Sequence, residues 1–171
     1  MIRRLYNFII YPFVSLEHIP PDEDGCYNGL VYPKTHNNLI WCVAWASLPS
    51  GIYAITRGYY DLSVVPLGVF STSLMYWSHP DTKSWRRYID ISYVISYVSC
   101  ALLYQVVRAI GAEYMLHYYI ITSIGVGCYP ISHYYHYKHS WVSAVFHGAI
   151  HVFGTIANII LYSGYIPERW W

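Results

Sequence analysis

The sequence predicts an all-α protein, a multi-pass transmembrane helix bundle of about five spans. Its 171 residues are 56% hydrophobic and only 11% charged, whereas soluble domains carry about 25% charged residues. The 21 tyrosines and 7 tryptophans each combine an apolar ring with a polar tip, which suits the boundary between membrane and water. These observations indicate a single integral membrane domain over residues 1–171.

The beginning of the chain differs from the rest. Residues 1–16 hold two arginines and then an apolar run that contains Asn7 and Pro12. No small-residue cleavage pattern follows, so we expect a retained interfacial helix rather than a signal peptide. Residues 17–37 combine acidic side chains with prolines, which predicts a polar segment in water.

The remainder of the chain is rich in long apolar stretches. A membrane-crossing helix needs about 20 mostly apolar residues. We predict spans at about 38–57, 61–79, 88–110, 114–132 and 140–163.

Lysine and arginine between these spans predict the orientation, because cytoplasmic loops carry an excess of both. With the N-terminus on the cytoplasmic side, the other side holds only Arg57, Arg108 and Arg169. The cytoplasmic side then holds Arg3, Arg4, Lys34, Lys83, Arg86, Arg87 and Lys138. We therefore expect the C-terminus on the opposite side.

The net charge and the spacing of the cysteines indicate which partners and metal sites to expect. A net charge of +1 gives no electrostatic footprint for nucleic acid, so membrane lipid is the expected partner. The four cysteines show no CxxC spacing, which argues against a cysteine-bound metal.

Two histidines in the last span are the first candidates for chemistry. His147 and His151 are four residues apart and therefore share one helix face, which Gly154 and Asn158 extend. Two imidazoles one helical turn apart can present nitrogens to one tetrahedral metal ion. The glutamate of an HExxH metalloprotease helix is missing. A hydrogen-bonded packing stripe between helices is the alternative.

A third metal ligand has to come from another helix. His79 ends the second predicted span, and Asp90 follows eleven residues later at the start of the third. The predicted topology places both near the same face of the membrane as His147. An ionisable side chain at this depth is a functional candidate, although Asp90 could equally pair with Arg86 or Arg87.

This pattern resembles the CREST superfamily of membrane hydrolases, which includes the alkaline ceramidases and the adiponectin-receptor proteins. The resemblance lies in His79, Asp90 and the His147-x-x-x-His151 pair. It implies Zn²⁺ bound by the three histidines, with Asp90 holding and deprotonating the zinc-bound water. The implied activity is an intramembrane, ceramidase-like hydrolysis of a lipid amide or ester.

The chain departs from the family in three respects, of which one is the unusually charged loop between His79 and Asp90. The family has seven spans, so this chain would be a shortened member. Met75 stands where the family usually has a serine, four residues before the first histidine. The hydroxyl that the serine supplies is therefore either absent or provided by Tyr76 or Ser71.

Other polar residues suggest weaker alternatives. His133, His136 and His139 alternate with tyrosines in a predicted loop, where contact with lipid headgroups is the simplest interpretation. For the whole chain, the alternative function is a non-enzymatic scaffold, or a subunit of an oligomer or of a larger viral or organellar membrane assembly.

Overall fold

The computed structural model describes residues 30–81, 83–93, 99–138 and 140–168, and the described chain contains no β-strand. The all-α prediction is confirmed for these residues. An isolated antiparallel bridge joins Leu30 to Asp81. The interfacial helix expected in 1–16 lies outside the described residues, as does most of the polar segment 17–37.

Helices form most of the described chain. They are α1 Lys34–Ala44, α2 Ser47–Thr56, α3 Tyr60–Trp77, α4 Trp85–Ser92, α5 Ser99–Ala109, α6 Met115–Tyr137 and α7 Val142–Ser163.

The predicted span 38–57 is divided into α1 and α2 because of a proline. Pro49 lies in the first turn of α2, where it has no N–H to donate to the carbonyl of Trp45 and its ring crowds that carbonyl. A short turn therefore replaces the helix at Trp45 and Ala46. The carbonyl of Ala46 accepts a hydrogen bond of 2.8 Å from Thr155 of α7, which ties this turn to the last helix.

A second proline is compensated by a contact between helices. Pro66 lies inside α3 and deprives the carbonyl of Leu62 of its usual intrahelical donor. The hydroxyl of Tyr162 on α7 donates to this carbonyl at 3.3 Å. Such a replacement partner allows a proline within an apolar bundle.

The helix ends gather at two opposite ends of the bundle. Aromatic contacts hold one of these ends together. The Tyr32 ring lies 5.9 Å from the Trp77 ring and 4.9 Å from the His136 ring. Its hydroxyl is 2.7 Å from the Ser143 hydroxyl. The start of α1, the ends of α3 and α6 and the start of α7 therefore lie together, in what we name the histidine end.

Charged side chains define the opposite end, named the arginine end. Arg108, near the end of α5, forms a 3.0 Å ion pair with Asp61 at the start of α3. Arg57, which follows α2, donates to the carbonyl of Tyr162 near the end of α7 at 3.1 Å. α1 with α2 and α7 therefore run from the histidine end to the arginine end, whereas α3 and α6 run the other way. α5, which lies between α3 and α6 in the chain, ends at the arginine end.

The boundaries of two predicted spans need correction. The predicted span 88–110 corresponds to α4 and α5, and residues 94–98 between them lie outside the described residues. The predicted span 114–132 is too short, because α6 continues to Tyr137. The loop expected around His133 and His136 is therefore wrong, since both residues are helical.

Two helical segments meet the length and hydropathy expected of a membrane span in the described residues. They are Lys34–Thr56 and Val142–Ser163, with mean hydropathies of 1.4 and 1.7. Helices α3 and α6, which cover most of the predicted spans 61–79 and 114–132, contain many tyrosine, serine and threonine side chains, which lower their hydropathy. The helical fold is confirmed, whereas the number of about five spans stays a prediction.

Small residues let α2 approach α3 closely. The buried face of α2 consists of Ser47, Ser50, Gly51 and Ala54. A Cβ at Gly51 would lie 2.5 Å from the Leu67 side chain of α3. This spacing of small residues is typical of helices that pack closely in membranes.

We predict that Gly51→Ala destabilises the protein by about 1–3 kcal/mol, because the added methyl group overlaps Leu67. Gly127→Ala is the matched control, since a Cβ there meets no atom within 4 Å. The control should be neutral or stabilise the helix by up to about 1 kcal/mol. Thermal unfolding in detergent measures both. Equal effects of the two substitutions would contradict close packing at Gly51.

Candidate functional site

The histidine pair lies on the inner side of α7. The rings of His147 and His151 have centroids 5.8 Å apart, as expected for side chains one helical turn apart. His151 is buried, with 8% of its surface exposed. The Trp77 ring of α3 packs edge to face on His147, with centroids 4.9 Å apart. The pair therefore faces α3 and lies near the histidine end.

Asn158, which shares the helix face of the histidine pair, has a packing role. Asn158 accepts a hydrogen bond of 2.7 Å from Gln105 of α5. Gln105 also donates to the hydroxyl of Tyr162 at 3.0 Å. This part of the stripe joins α5 to α7, which is the packing role that polar side chains have between membrane helices.

Asp90 is buried on α4 and contacts α3. The hydroxyl of Ser73 donates to its carboxylate at 3.1 Å. Ser73 and Trp77 are four residues apart on α3 and therefore lie one turn apart on the same face. The carboxylate and the histidine pair thus border the last two turns of α3 on the same side.

The hydroxyl beside Asp90 comes from a residue that the sequence did not single out. We expected Tyr76 or Ser71 to replace the family serine, but Ser71 donates to the carbonyl of Leu67 in its own helix at 2.8 Å. The hydroxyl that donates to Asp90 is that of Ser73. Ser73 could have been found from its spacing, because it lies three and four residues before Tyr76 and Trp77. This spacing places the three side chains on one face of α3, and all three are buried.

His79 is separated from the buried pair. It follows the end of α3 by two residues, and its side chain is exposed. Its backbone N–H donates to the carbonyl of Tyr76 at 3.1 Å, which closes the end of the helix. The next residue, Pro80, accepts a backbone hydrogen bond from Val31 at 3.0 Å.

His147 and His151 provide part of what a zinc site requires. Zinc in hydrolases takes three protein ligands and keeps one open position, and His147 with His151 supplies two neutral imidazoles of the right chemistry. Among the described residues, however, no group of three His, Cys, Asp or Glu side chains is gathered closely enough to hold a metal. The pair fits as part of a zinc site, and the third ligand is not assembled with it.

A hydroxyl network lies beside the pair. Ser132 of α6 donates to the carbonyl of Ser143 at 2.9 Å, and Ser143 of α7 donates to the carbonyl of Ser132 at 2.7 Å. The Tyr32 hydroxyl joins them. Burial raises the pKa of the Tyr32 phenol, so it stays protonated and able to donate at neutral pH.

Most of the aromatic side chains near the end of α6 face outward. His133 is exposed between Tyr129, at 6.1 Å, and Tyr137, at 4.8 Å between ring centroids. The ammonium group of Lys138 lies 4.4 Å from the centre of the Tyr134 ring. His136 turns inward to Tyr32 instead, and His139 lies outside the described residues. His133 and His136, the two described members of this group, therefore face different surroundings.

Comparison of the chain with protein families, with curated proteins and with solved structures finds no match.

We predict that Ser73→Ala destabilises the protein by about 1–3 kcal/mol, because it removes a hydrogen bond from a buried carboxylate. Ser71→Ala is the control, since Ser71 is exposed and bonds only within its own helix turn. The control should change stability by less than about 0.5 kcal/mol. The measurement is thermal unfolding of the two purified variants. A Ser73 variant as stable as the Ser71 variant would show that the hydroxyl does not support Asp90.

Proposed function

We propose that the protein is an integral membrane protein with about five spans and its N-terminus on the cytoplasmic side. Support comes from the two long apolar helices, from the close approach of α2 to α3 and from the alternating direction of the helical runs. In this arrangement α1 with α2, α3, α4 with α5, α6 and α7 each cross the bilayer.

The distribution of cations supports the orientation. Among the described residues, the arginine end carries Arg57 and Arg108. The histidine end carries Lys34, Lys83, Arg86, Arg87 and Lys138. The histidine end is therefore proposed to face the cytoplasm.

We predict that the two ends are labelled from opposite sides of the membrane. Lys83→Cys marks the histidine end and Glu168→Cys the arginine end, and both positions are exposed. The four native cysteines are first replaced by alanine. In intact cells a membrane-impermeant thiol reagent should label the cysteine at 168 at once and the cysteine at 83 only after permeabilisation. Labelling of both from one side would overturn the topology.

For the activity, we propose a zinc-dependent hydrolase that acts on an amide or ester of a membrane lipid. The single observation that carries this proposal is the pair formed by half-buried His147 and buried His151, which shares one side of α3 with the buried carboxylate of Asp90. Such a concentration of ionisable groups inside an apolar bundle is costly unless it serves a function. The resemblance of the pattern to the CREST superfamily supports the same activity.

Each residue has a separate role in this proposal. His147 and His151 hold the metal, Trp77 fixes the orientation of the His147 ring, and His79 is the third ligand. Bound zinc lowers the pKa of water to about 7 and polarises a carbonyl. Asp90, held by Ser73, accepts the proton of the attacking water as general base. His79 has to turn inward from its exposed position after α3 to complete the set.

We predict that the purified protein contains about one zinc per chain and that the double substitution His147→Ala/His151→Ala abolishes zinc binding. The matched control replaces two exposed histidines, His117 and His133, by alanine and should retain the metal. Elemental analysis measures zinc in each sample. Zinc content that is unchanged in the first double variant would refute the ligand assignment.

Asp90→Asn separates catalysis from metal binding. It should retain zinc and lose at least about 100-fold in hydrolysis of a fluorescent lipid amide or ester, because a general base contributes about 100- to 10,000-fold. The hydrolysis is followed in detergent micelles with the substrate in excess. Undiminished hydrolysis would exclude Asp90 as the base.

A second candidate function is supported by the missing third ligand. Among the described residues no three metal-binding side chains converge, and Asp90 and His147 each have an internal contact. We propose as the alternative a structural subunit of an oligomer or of a larger membrane assembly. Purification in a stoichiometric complex without zinc would favour this alternative over the hydrolase.

A further inference from the structure

Three buried polar atoms at the histidine end have no hydrogen-bond partner among the described residues. They are Oγ1 of Thr35, Oδ1 of Asn37 and Nε1 of Trp77. Asn37 and Trp77 are almost completely buried, with 3% and 5% of their surfaces exposed. Buried polar groups in proteins nearly always have a partner, so atoms of this kind require an explanation.

The unpartnered atoms of Asn37 and Trp77 require different partners, because one atom accepts a hydrogen bond and the other donates one. Nδ2 of Asn37 donates to the carbonyl of Tyr32 at 2.8 Å. Because a carbonyl can only accept, the amide nitrogen must face Tyr32, and Oδ1 is the free end of the side chain. Oδ1 can only accept a hydrogen bond, whereas the indole Nε1 of Trp77 can only donate one.

Trp77 contacts the histidine pair directly, and Asn37 is linked to Trp77 through Tyr32. The Trp77 ring contacts the His147 ring at 4.9 Å and the Tyr32 ring at 5.9 Å between centroids. Asn37 is bonded to Tyr32. The starts of α1 and α7 and the end of α3 thus place one free acceptor and one free donor beside the residues proposed to hold the metal.

We propose that Asn37 and Trp77 bind the headgroup of the lipid substrate and select headgroups that carry a hydroxyl group. A hydroxyl can accept a hydrogen bond from the indole and can donate one to the amide oxygen, so a headgroup with hydroxyls offers a partner to each atom. A simple ester offers only acceptors and leaves Asn37 without a donor. This inference rests on the proposed function, because it takes the histidine pair as the site of lipid hydrolysis.

Water has the same hydrogen-bonding chemistry as a hydroxyl group and is the other source of a partner for these atoms. A resident water would satisfy both atoms permanently and give no preference among lipids. The two sources therefore differ in one measurable property, which is the dependence of lipid affinity on a headgroup hydroxyl.

The experiment compares two probes with the same acyl chain. One is a monoacylglycerol, which carries two hydroxyls, and the other is the corresponding fatty acid methyl ester, which carries none. Binding to the full-length protein in detergent is measured by the shift in thermal unfolding temperature as each probe is titrated. We expect the monoacylglycerol to bind about five- to tenfold more tightly, the effect of one additional hydrogen bond in a buried site.

Trp77→Phe keeps an aromatic ring against His147 and removes the indole N–H. It should weaken binding of the monoacylglycerol by about five- to tenfold. Trp141→Phe is the control, because Trp141 is 40% exposed, and it should leave the affinity unchanged. Unchanged affinity in a folded Trp77 variant would overturn the proposal.

The wild-type comparison is decisive by itself if the variant does not fold. A preference of less than about twofold for the hydroxylated probe would show that water or another part of the chain satisfies the two atoms, and would overturn the proposal. The zinc measurement distinguishes the two hypotheses. If the protein prefers the hydroxylated probe but contains no zinc, the headgroup site is retained and the hydrolase is rejected. If it contains zinc but shows no preference, the hydrolase is retained and the headgroup site is rejected.

Discussion

The hydrogen bonds among Tyr32, Ser132 and Ser143 hold the histidine end together. The two serines bond reciprocally across α6 and α7, and the Tyr32 hydroxyl adds the segment that leads into α1. Because α7 is held in this way at its start, His147 lies one turn further on against Trp77 of α3. The position of the histidine pair, and with it every functional proposal, depends on this contact between three elements.

The two ends of the bundle satisfy their polar groups differently. At the arginine end Arg108 is paired with Asp61 and also donates to the carbonyl of Pro167, and the carbonyl freed by Pro66 is bonded to Tyr162. Partners of this kind are what an apolar environment demands. At the histidine end, buried Asn37 and Trp77 still have unpartnered atoms among the described residues. The histidine end thus differs from the arginine end in keeping buried polar atoms without a partner among the described residues, and the proposed headgroup site is built on these atoms.

Patterns along single helices were predictable, while contacts between helices were not. The four-residue spacing of His147 and His151 requires a shared face in any α-helix, and the apolar composition favoured helices throughout. The partner of Asp90 was not predicted, because the sequence pointed to Ser71 or Tyr76, whereas Ser73 is the residue that donates to it. The rotation of α3 decides among them by burying Ser73 and exposing Ser71. The break at Trp45 and Ala46 depends on Pro49 and was overlooked among the apolar residues.

The sequence by itself determined an all-helical chain, the cations that the structure gathers at one end and the common face of His147 and His151. These follow from composition and from the period of the helix, which act along a few neighbouring residues. Only the tertiary structure decided that Asp90 bonds to Ser73, that Trp77 covers His147 and that His79 is exposed beyond the end of α3. These depend on how each helix is rotated and offset against its neighbours, which is set by side-chain packing between residues far apart in the chain.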